Sequence, residues 1–279
     1  MTEPLHRAAV LGDPIEHSLS PVLHTAGYEA AGLDSWAYTR IRCTADELPR
    51  IVGTSDASFA GFSVTMPGKF AALDFADEST DRARAIGSAN TLTRIDGGWR
   101  ADNTDCEGIT GALGELVGDT PITRAIVVGA GGTARPALWA LARAGAKTVT
   151  VVNRSDRSAE IAPLLEPHGV EFRFVALNED VTELAMAADV IVSTVPSAGL
   201  DADKIKQLGH APVLDVIYDP WPTPLATRAA SNGYLTVGGL SMLAHQSFSQ
   251  FEQFTGHPAP RAAMRSALFN HFGLADVQS

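Results

Sequence analysis

The sequence predicts an α/β protein: an N-terminal α/β domain joined to a Rossmann-type, doubly wound parallel sheet, with C-terminal helices packing back on the N-terminal domain. Three observations carry this. The stretch from Thr123 to Gly145 reads in immediate succession as a buried strand, a tight glycine turn and an apolar-periodic helix. Beyond it, strand-like runs at Thr148 to Val152, Phe172 to Leu177, Val190 to Val195, Val213 to Ile217 and Tyr234 to Val237 are mostly separated by helical stretches, the βαβ alternation of a parallel sheet. The tail closes with two helices whose apolar faces need a partner that the N-terminal domain can supply. At 279 residues the chain is long enough for two cores.

In chain order, Arg7 to Leu11 is a short strand broken at Gly12-Asp13-Pro14. Ser20 suits an N-cap and Pro21 the first helical position, so a helix runs on to Ala31 and stops at Gly32. Ser18 and Ser20 therefore sit at a strand's carboxyl end beside a helix N-terminus, which makes either a cradle for a small carboxylate or a simple capped turn. His17 and His24 read as packing or hydrogen-bonding residues. Trp36 to Cys43 alternates as a strand, Ala45 to Val52 is helical despite Pro49, and Phe59 to Met66 is a strand ended by Pro67-Gly68. A helix then runs from Lys69 through Phe75. Its dipole opposes a positive charge at that end. Lys69 is thus either a surface lysine or one with a task, since a lysine in a partly dry cleft can act as acid or base.

Glu78 to Ile86 predicts a polar-faced helix, Ser88 to Thr93 a strand, and Ile95 to Trp99 a hairpin turn. A helix resumes at Glu107, with Gly108, Gly111 and Gly114 available for close packing. Asn90, Thr104 and Asp105 follow strand ends; loops also collect such residues for turn reasons, so their weight comes from their combination with Lys69. Gly118 to Pro121 reads as a linker.

In the central stretch, Ala125 to Val128 forms the strand, and Gly129, Gly131 and Ala134 take the positions of a G-x-G-x-x-A fingerprint with Ala130, Gly132 and Thr133 between them. The first glycine permits the turn, the second lets a pyrophosphate approach the backbone, and the small third residue lets helix pack on strand. Free N–H groups and the helix dipole then face the phosphates. A merely glycine-rich βα turn is the plainer alternative. At the tip of the next strand stand Asn153, Arg154 and Ser155, where an NAD enzyme usually places a carboxylate; Arg154 suits a 2′-phosphate, so NADP(H) is the expected cofactor, with Asp156 keeping NAD(H) open.

In the tail, Leu240, Leu243, Phe251 and Phe254 share one helical face, Gly256 and Pro258 end that helix, and a last helix covers Ala259 to Phe272. Gln246 either faces a cleft or caps the packing. His245 has no carboxylate or cysteine at helical spacing and receives no catalytic role. The expected division is a substrate-binding catalytic domain of residues 1–105 and 240–279 around an NADP-binding domain of 106–239.

The formal net charge of −11 disfavours nucleic acid or an anionic membrane as partner, so any anionic ligand must be held by local positive groups. Two cysteines, Cys43 and Cys106, with no metal-site spacing, point to no zinc, no disulfide framework and a reducing, cytoplasmic setting. The N-terminus lacks a signal-peptide pattern, and no apolar run approaches the ~20 residues that span a bilayer.

With these residues assembled, the chain resembles the shikimate dehydrogenase family over nearly its whole length. His17-Ser18-Leu19-Ser20-Pro21 resembles the family's substrate-carboxylate loop, which assigns Ser18 and Ser20 to the carboxylate. Val64-Thr65-Met66-Pro67-Gly68-Lys69 resembles its V-T-x-P-x-K motif, making Lys69 the catalytic lysine and Thr65 a substrate contact. Ser88-Ala-Asn90-Thr91 and Asp102-Asn-Thr104-Asp105 match A-N-T and N-T-D, so Asn90 and Asp105 would bind substrate hydroxyls, with Asp105 also partnering the lysine. Asn153-Arg154-Ser155 resembles the signature of NADP-using members. Asp215-Val-Ile-Tyr218 with Thr223-Pro224-Leu225 matches D-x-x-Y…T-P-L and brings Tyr218 to substrate. Gly239-Leu-Ser-Met242-Leu-Ala-His-Gln246 resembles the G-L-x-M-L…Q helix, with Gln246 on substrate and Gly239 and Met242 by the nicotinamide. Ser63 stands where many members have asparagine, Ser193-Thr194-Val195-Pro196 replaces the common N-A-T segment, and the stretch after Arg154 is one residue shorter than in many relatives, which bears on Arg157.

The resemblance implies reversible reduction of 3-dehydroshikimate to shikimate by NADPH in a cleft between two domains. Lys69 would be the general acid, and no metal is needed because the lysine covers the Lewis-acid role. An NAD-dependent quinate/shikimate dehydrogenase and a non-catalytic nucleotide-sensing relative are the alternatives. The expected partner is a small molecule, with neither nucleic acid nor membrane, and the chain is a monomer or a homodimer.

Overall fold

A computed structural model of the chain describes residues 5–274. It divides into two units, one holding the chain up to Thr104 and again from Gln246, the other running from Asp105 to His245.

In the first unit, β1 (His6–Gly12), α1 (Ser20–Ala30), β2 (Trp36–Arg42), α2 (Leu48–Gly53), β3 (Phe59–Val64), α3 (Lys69–Phe75), β4 (Glu78–Ser79), α4 (Asp81–Ile86), β5 (Thr91–Ile95) and β6 (Gly98–Asp102) follow one another. Their strands form one sheet in the order β2-β1-β3-β5-β6-β4. Strands β2, β1 and β3 run parallel, and β5 runs antiparallel to β3 and β6. Consequently the N-terminal end of β5 lies beside the C-terminal ends of β3 and β6, with Thr91 opposite both Ser63 and Asp102. Ala9, Leu11, Phe62, Val64, Leu92 and Trp99 are fully or almost fully buried in a core on this sheet.

The second unit holds α5 (Asp105–Val117), β7 (Arg124–Val128), α6 (Ala134–Arg143), β8 (Thr148–Asn153), α7 (Ser158–Leu165), β9 (Glu171–Ala176), α8 (Thr182–Ala187), β10 (Val190–Ser193), α9 (Ala202–Leu208), β11 (Val213–Asp215), α10 (Pro224–Ser231) and β12 (Thr236–Gly238). All its ladders are parallel, in the order β12-β11-β10-β7-β8-β9. Counting from β7 as the first strand of this unit, the order is 3-2-1-4-5-6, the doubly wound arrangement with its switch point between β7 and β10. Alternate residues of the buried β7 feed the two faces: Ala125 and Val127 pack with α5 and α6, Ile126 and Val128 with Val181, Leu208 and Leu225 on the other side.

The chain ends with α11 (Gly239–Thr255) and α12 (Arg261–His271). The C-terminal helices pack on the N-terminal sheet, as expected. Phe251 and Phe254 are buried against α1 and β3, where a Cβ on Gly27 would come within 2.8 Å of the Phe251 ring and one on Gly61 within 2.1 Å of Phe254. His24 is fully buried there, its ring stacked 4.2 Å from that of Tyr38. Burial holds its pKa down at about 3, so it is a neutral packing residue, as its sequence context suggests.

Several local expectations need correction. Leu19, already helical at φ −92° and ψ −4°, takes the N-cap position, so Ser20 lies inside the first turn and does not cap it. Helix α2 starts at Leu48, three residues after Ala45, because Pro49 suits only a first turn. The segment from Glu78 is not wholly helical. Asp77 accepts a hydrogen bond from Trp99 N at 2.9 Å, which holds Glu78–Ser79 as a strand beside β6, and Thr80 then caps α4 through Ala83 N. Gly118 to Pro121 lies within the second unit, since α5 already packs against α6 in that unit's core. The later break falls between His245 and Gln246, inside α11, rather than between residues 239 and 240. The cause is visible in the side chains: Met242 is buried in the second unit's core, and Ser241 and His245 both bond Glu115 of α5.

Candidate active site

In the first unit the polar residues gather at one edge of the sheet, because the crossing of parallel and antiparallel strands brings several chain ends together there. Thr65 N donates to Leu11 O at 2.9 Å, Val64 N to Asn90 O at 2.7 Å, Asn90 N to Asp102 O at 3.1 Å, and Ala89 N to Lys69 O at 2.9 Å. Thr65, Lys69, Asn90 and Thr104 thus share that edge. Gly12 is required here: a Cβ would stand 2.4 Å from Thr65 Cγ2. Ser18 lies in the loop after β1 and Ser20 in the first turn of α1, with their hydroxyls 3.4 Å apart. The Arg40 guanidinium donates twice to Ser18 O, at 3.0 and 2.6 Å, and so provides a positive group beside the loop in this acidic chain.

Asn90 is buried and highly connected. Its Oδ1 accepts from Thr104 N at 2.7 Å and from Thr91 Oγ1 at 2.8 Å, and its Nδ2 donates to Gln246 Oε1 at 2.9 Å. Gln246 is therefore joined to Asn90. Asp102 is a node that sequence reasoning missed. It accepts from Thr80 Oγ1 at 2.7 Å, Arg82 Nε at 2.6 Å, Arg82 Nη2, Asn103 N at 2.8 Å and Gln253 Nε2 at 2.8 Å. Burial pushes this carboxyl up, but the hydrogen bond and charge of Arg82, with Thr80 and Gln253, hold it below the ordinary aspartate range. Gln250 was missed as well; only its position one helical turn beyond Gln246 hinted at it.

In the second unit Asp105 is buried at the first position of α5, where the helix dipole favours a carboxylate. The glycine turn follows β7 at the sheet's switch point. Gly129 has φ +104°, and a Cβ there would lie 2.5 Å from Thr194 Oγ1, so only glycine fits. Thr194, part of the departure from N-A-T, donates to Val128 O at 2.9 Å and closes on that turn. A Cβ at Gly131 or Gly132 would meet no atom within 4 Å, so packing alone does not require glycine at either position. Ala130 is nearly buried, Thr133 holds the N-cap position of α6 without using its side chain for the cap, and Ala134 is fully buried against the strand.

At the β8 tip Asn153 Nδ2 donates to Ser155 O at 2.9 Å, ordering the turn that exposes Arg154 and Ser155. Asp156 accepts from Ser158 N at 2.8 Å and from its hydroxyl, bonds that keep its carboxyl low and commit it to the start of α7. Arg157 pairs with Glu160 and donates to Ala130 O at 3.0 Å, so it braces the glycine turn itself. Asp215, which burial pushes up, accepts from Thr223 Oγ1 at 2.8 Å and Ile217 N at 3.2 Å, fixing the turn that leads to Tyr218; burial also pushes the Tyr218 phenol up. Gly239 starts α11 where a Cβ would lie 2.0 Å from Val216 O, and Met242 is buried one turn on. His245 does have a carboxylate partner, Glu115 at 2.7 Å, supplied by α5 and so invisible to helical spacing along α11.

Residues 10–92 match the shikimate dehydrogenase substrate binding domain, residues 114–211 the shikimate / quinate 5-dehydrogenase family, and residues 239–269 the shikimate 5'-dehydrogenase C-terminal domain. A protein of Caulobacter vibrioides (strain NA1000 / CB15N) named shikimate dehydrogenase (NADP(+)) is 37% identical over 280 residues, 95% of this chain and 96% of its own. The crystal structure of Mycobacterium tuberculosis shikimate dehydrogenase is 51% identical with a TM-score of 0.90, over 95% of this chain and 99% of that one. The shikimate 5-dehydrogenase of Thermus thermophilus, solved in complex with NADP(H) and shikimate, is 29% identical with a TM-score of 0.79, over 95% of this chain and 99% of that one. With relatives of this identity aligned along almost its entire length, the chain belongs to the shikimate dehydrogenase family.

Proposed function

We propose that the chain reversibly reduces 3-dehydroshikimate to shikimate with NADP(H), as an oxidoreductase of aromatic (chorismate) biosynthesis. The observation that carries this reading is the match to a relative named shikimate dehydrogenase (NADP(+)) at 37% identity over 95% of the chain. The presence of Lys69, Asp105, Asn90 and Arg154 agrees with it.

The glycine turn fits the cofactor: Gly129 tolerates no side chain, and α6 begins directly after the turn. Ala130, Gly131, Gly132 and Thr133 would hold the pyrophosphate, Asn153, Arg154 and Ser155 the 2′-phosphate end, and Gly239 and Met242 the nicotinamide. When bound, NADPH supplies the hydride for the ketone carbon. The chain's own residues do the rest. Lys69 donates a proton to the carbonyl oxygen as charge builds there and takes it back in the reverse direction, assistance typically worth ~10²–10⁴-fold. Asp105 holds a substrate hydroxyl. Ser18 and Ser20 take the substrate carboxylate, with Arg40 polarising their loop. Thr65, Asn90, Tyr218 and Gln246 take the remaining oxygens. A substrate with several hydroxyls on one ring suits a site built largely from hydroxyl and amide side chains.

Among the described residues no helix is long and apolar enough to cross a membrane. We place the enzyme in the cytoplasm, acting on a small molecule as a monomer or homodimer. The test is a rate comparison on purified protein with two substrates, shikimate and quinate, and two cofactors, NADP⁺ and NAD⁺. Shikimate with NADP⁺ should give the highest kcat/KM. Quinate with NAD⁺ giving the highest would replace this reading, and no nicotinamide absorbance change with any pair would remove the catalytic one.

A further inference from the structure

We propose that Gln250 is a positioning residue that sets the hydrogen-bonding direction of Asn90 and Gln246 and thereby the affinity for the hydroxylated substrate. This rests on the reading of Asn90 and Gln246 as substrate contacts. Gln246, Gln250 and Gln253 are spaced by four and three residues on α11 and so lie along one face of the helix. Gln250 is only 2% exposed.

A primary amide has two N–H donors and one carbonyl oxygen. In Gln250 both ends are used. Its Oε1 accepts from Ser63 Oγ at 2.7 Å, and its Nε2 donates to Asn90 O at 3.1 Å and to Thr91 Oγ1 at 3.0 Å. The orientation is forced, because turning the amide over would set its oxygen against the Asn90 carbonyl oxygen. Tyr38 supplies the same constraint from the other side: its hydroxyl donates to Ser63 Oγ at 2.6 Å, which frees the single Ser63 proton for Gln250.

Direction then passes onward. With Gln250 donating to it, the Thr91 hydroxyl gives its own proton to Asn90 Oδ1 at 2.8 Å. That bond, with Thr104 N at 2.7 Å, keeps Asn90 Oδ1 inward, so Nδ2 points the other way and donates to Gln246 Oε1 at 2.9 Å. The run Tyr38, Ser63, Gln250, Thr91, Asn90, Gln246 is thus a one-way chain ending on the two amides assigned to substrate. Ser63 is short enough to admit the Tyr38 hydroxyl and is a link in this chain. A buried polar network with every member paired specifies one arrangement, and losing one member releases the others.

The test measures shikimate dissociation constants by calorimetry, and NADP⁺ dissociation constants in parallel, for the full-length protein and for Gln250→Met, Asn90→Ala and the double variant. Gln250→Met should weaken shikimate about tenfold, the scale of one lost hydrogen bond, and leave NADP⁺ within about twofold. In the Asn90→Ala background the same change should add less than about twofold, because Gln250 acts through Asn90. Unchanged shikimate affinity in Gln250→Met, or the same weakening in both backgrounds, would overturn the proposal. Unchanged affinity in Asn90→Ala alone would instead remove the assignment of Asn90 to substrate. Should Gln250→Met not fold, Ser63→Ala takes its place; it should weaken shikimate and not NADP⁺, and equal affinity to the parent protein would overturn the proposal.

Discussion

Replacing Asp102 by asparagine tests how the segment that leads to Thr104 and Asp105 is held. The side chain of Asp102 is 5% exposed and that of its partner Arg82 19%. One carboxylate oxygen takes Thr80 Oγ1, Arg82 Nε and Asn103 N; the other takes Arg82 Nη2 and Gln253 Nε2. An asparagine can keep its oxygen toward the first three donors, but its NH₂ then faces the remaining two, donor against donor. Breaking a buried ion pair by removing one partner costs about 3–5 kcal/mol. Arg82 can recover some hydration, which puts the expected loss near the lower end, about 3 kcal/mol. That is a large fraction of the ~5–15 kcal/mol that holds a domain together. The assay is urea unfolding followed by tryptophan fluorescence in a background with Trp139→Phe and Trp221→Phe. Trp36 and Trp99 then report on the first unit alone. A loss below about 1 kcal/mol, the scale of an exposed pair, would refute the reasoning. The pH dependence has a definite sign. Because the folded carboxyl is held below its ordinary range, its contribution is complete above the unfolded pKa of about 3.9 and is lost as pH falls through the folded value. Asp102→Asn should therefore narrow the gap to the parent protein as the medium is acidified, and a constant gap from about pH 7 to about pH 3 would contradict the assignment.

Two further outcomes are expected. Arg154→Ala should raise the KM for NADPH far more than that for NADH, measured by steady-state rates; equal effects on both would remove the 2′-phosphate role. Gly61→Ala places a methyl 2.1 Å from the Phe254 ring and should lower the first unit's stability by about 1–3 kcal/mol in the same urea assay, whereas an unchanged midpoint would mean that α11 does not press on β3.

Much of the fold was legible in the sequence because local rules and tertiary packing agree there. The β7 run, the Gly129 turn and the α6 helix each follow from nearest neighbours, and the parallel order of the second sheet follows from the βαβ alternation. The return of the C-terminal helices was readable from Phe251 and Phe254 on one face. What escaped depends on partners far apart in the chain. Nothing near Glu78 announces that Asp77 will bind Trp99 N and draw the segment into a strand. Nothing around His245 points to Glu115, 130 residues away. The connections of Ser63 to Gln250 and of Gln253 to Asp102 span 187 and 151 residues, and they exist only once α11 has been laid against the first sheet. Motif resemblance names the residues said to touch substrate, whereas Gln250, Gln253 and Arg82, which hold Asn90 or Asp102 from a distance, lie outside every motif quoted.

The most direct measurement is shikimate-dependent NADP⁺ reduction by Lys69→Ala, with nucleotide affinity determined on the same preparation. Turnover should fall by ~10²–10⁴-fold, the worth of the general acid–base step, while the NADP⁺ dissociation constant stays within about twofold. Turnover within about threefold of the parent enzyme would contradict the role given to Lys69, since removing the proton donor should cost at least ~10²-fold.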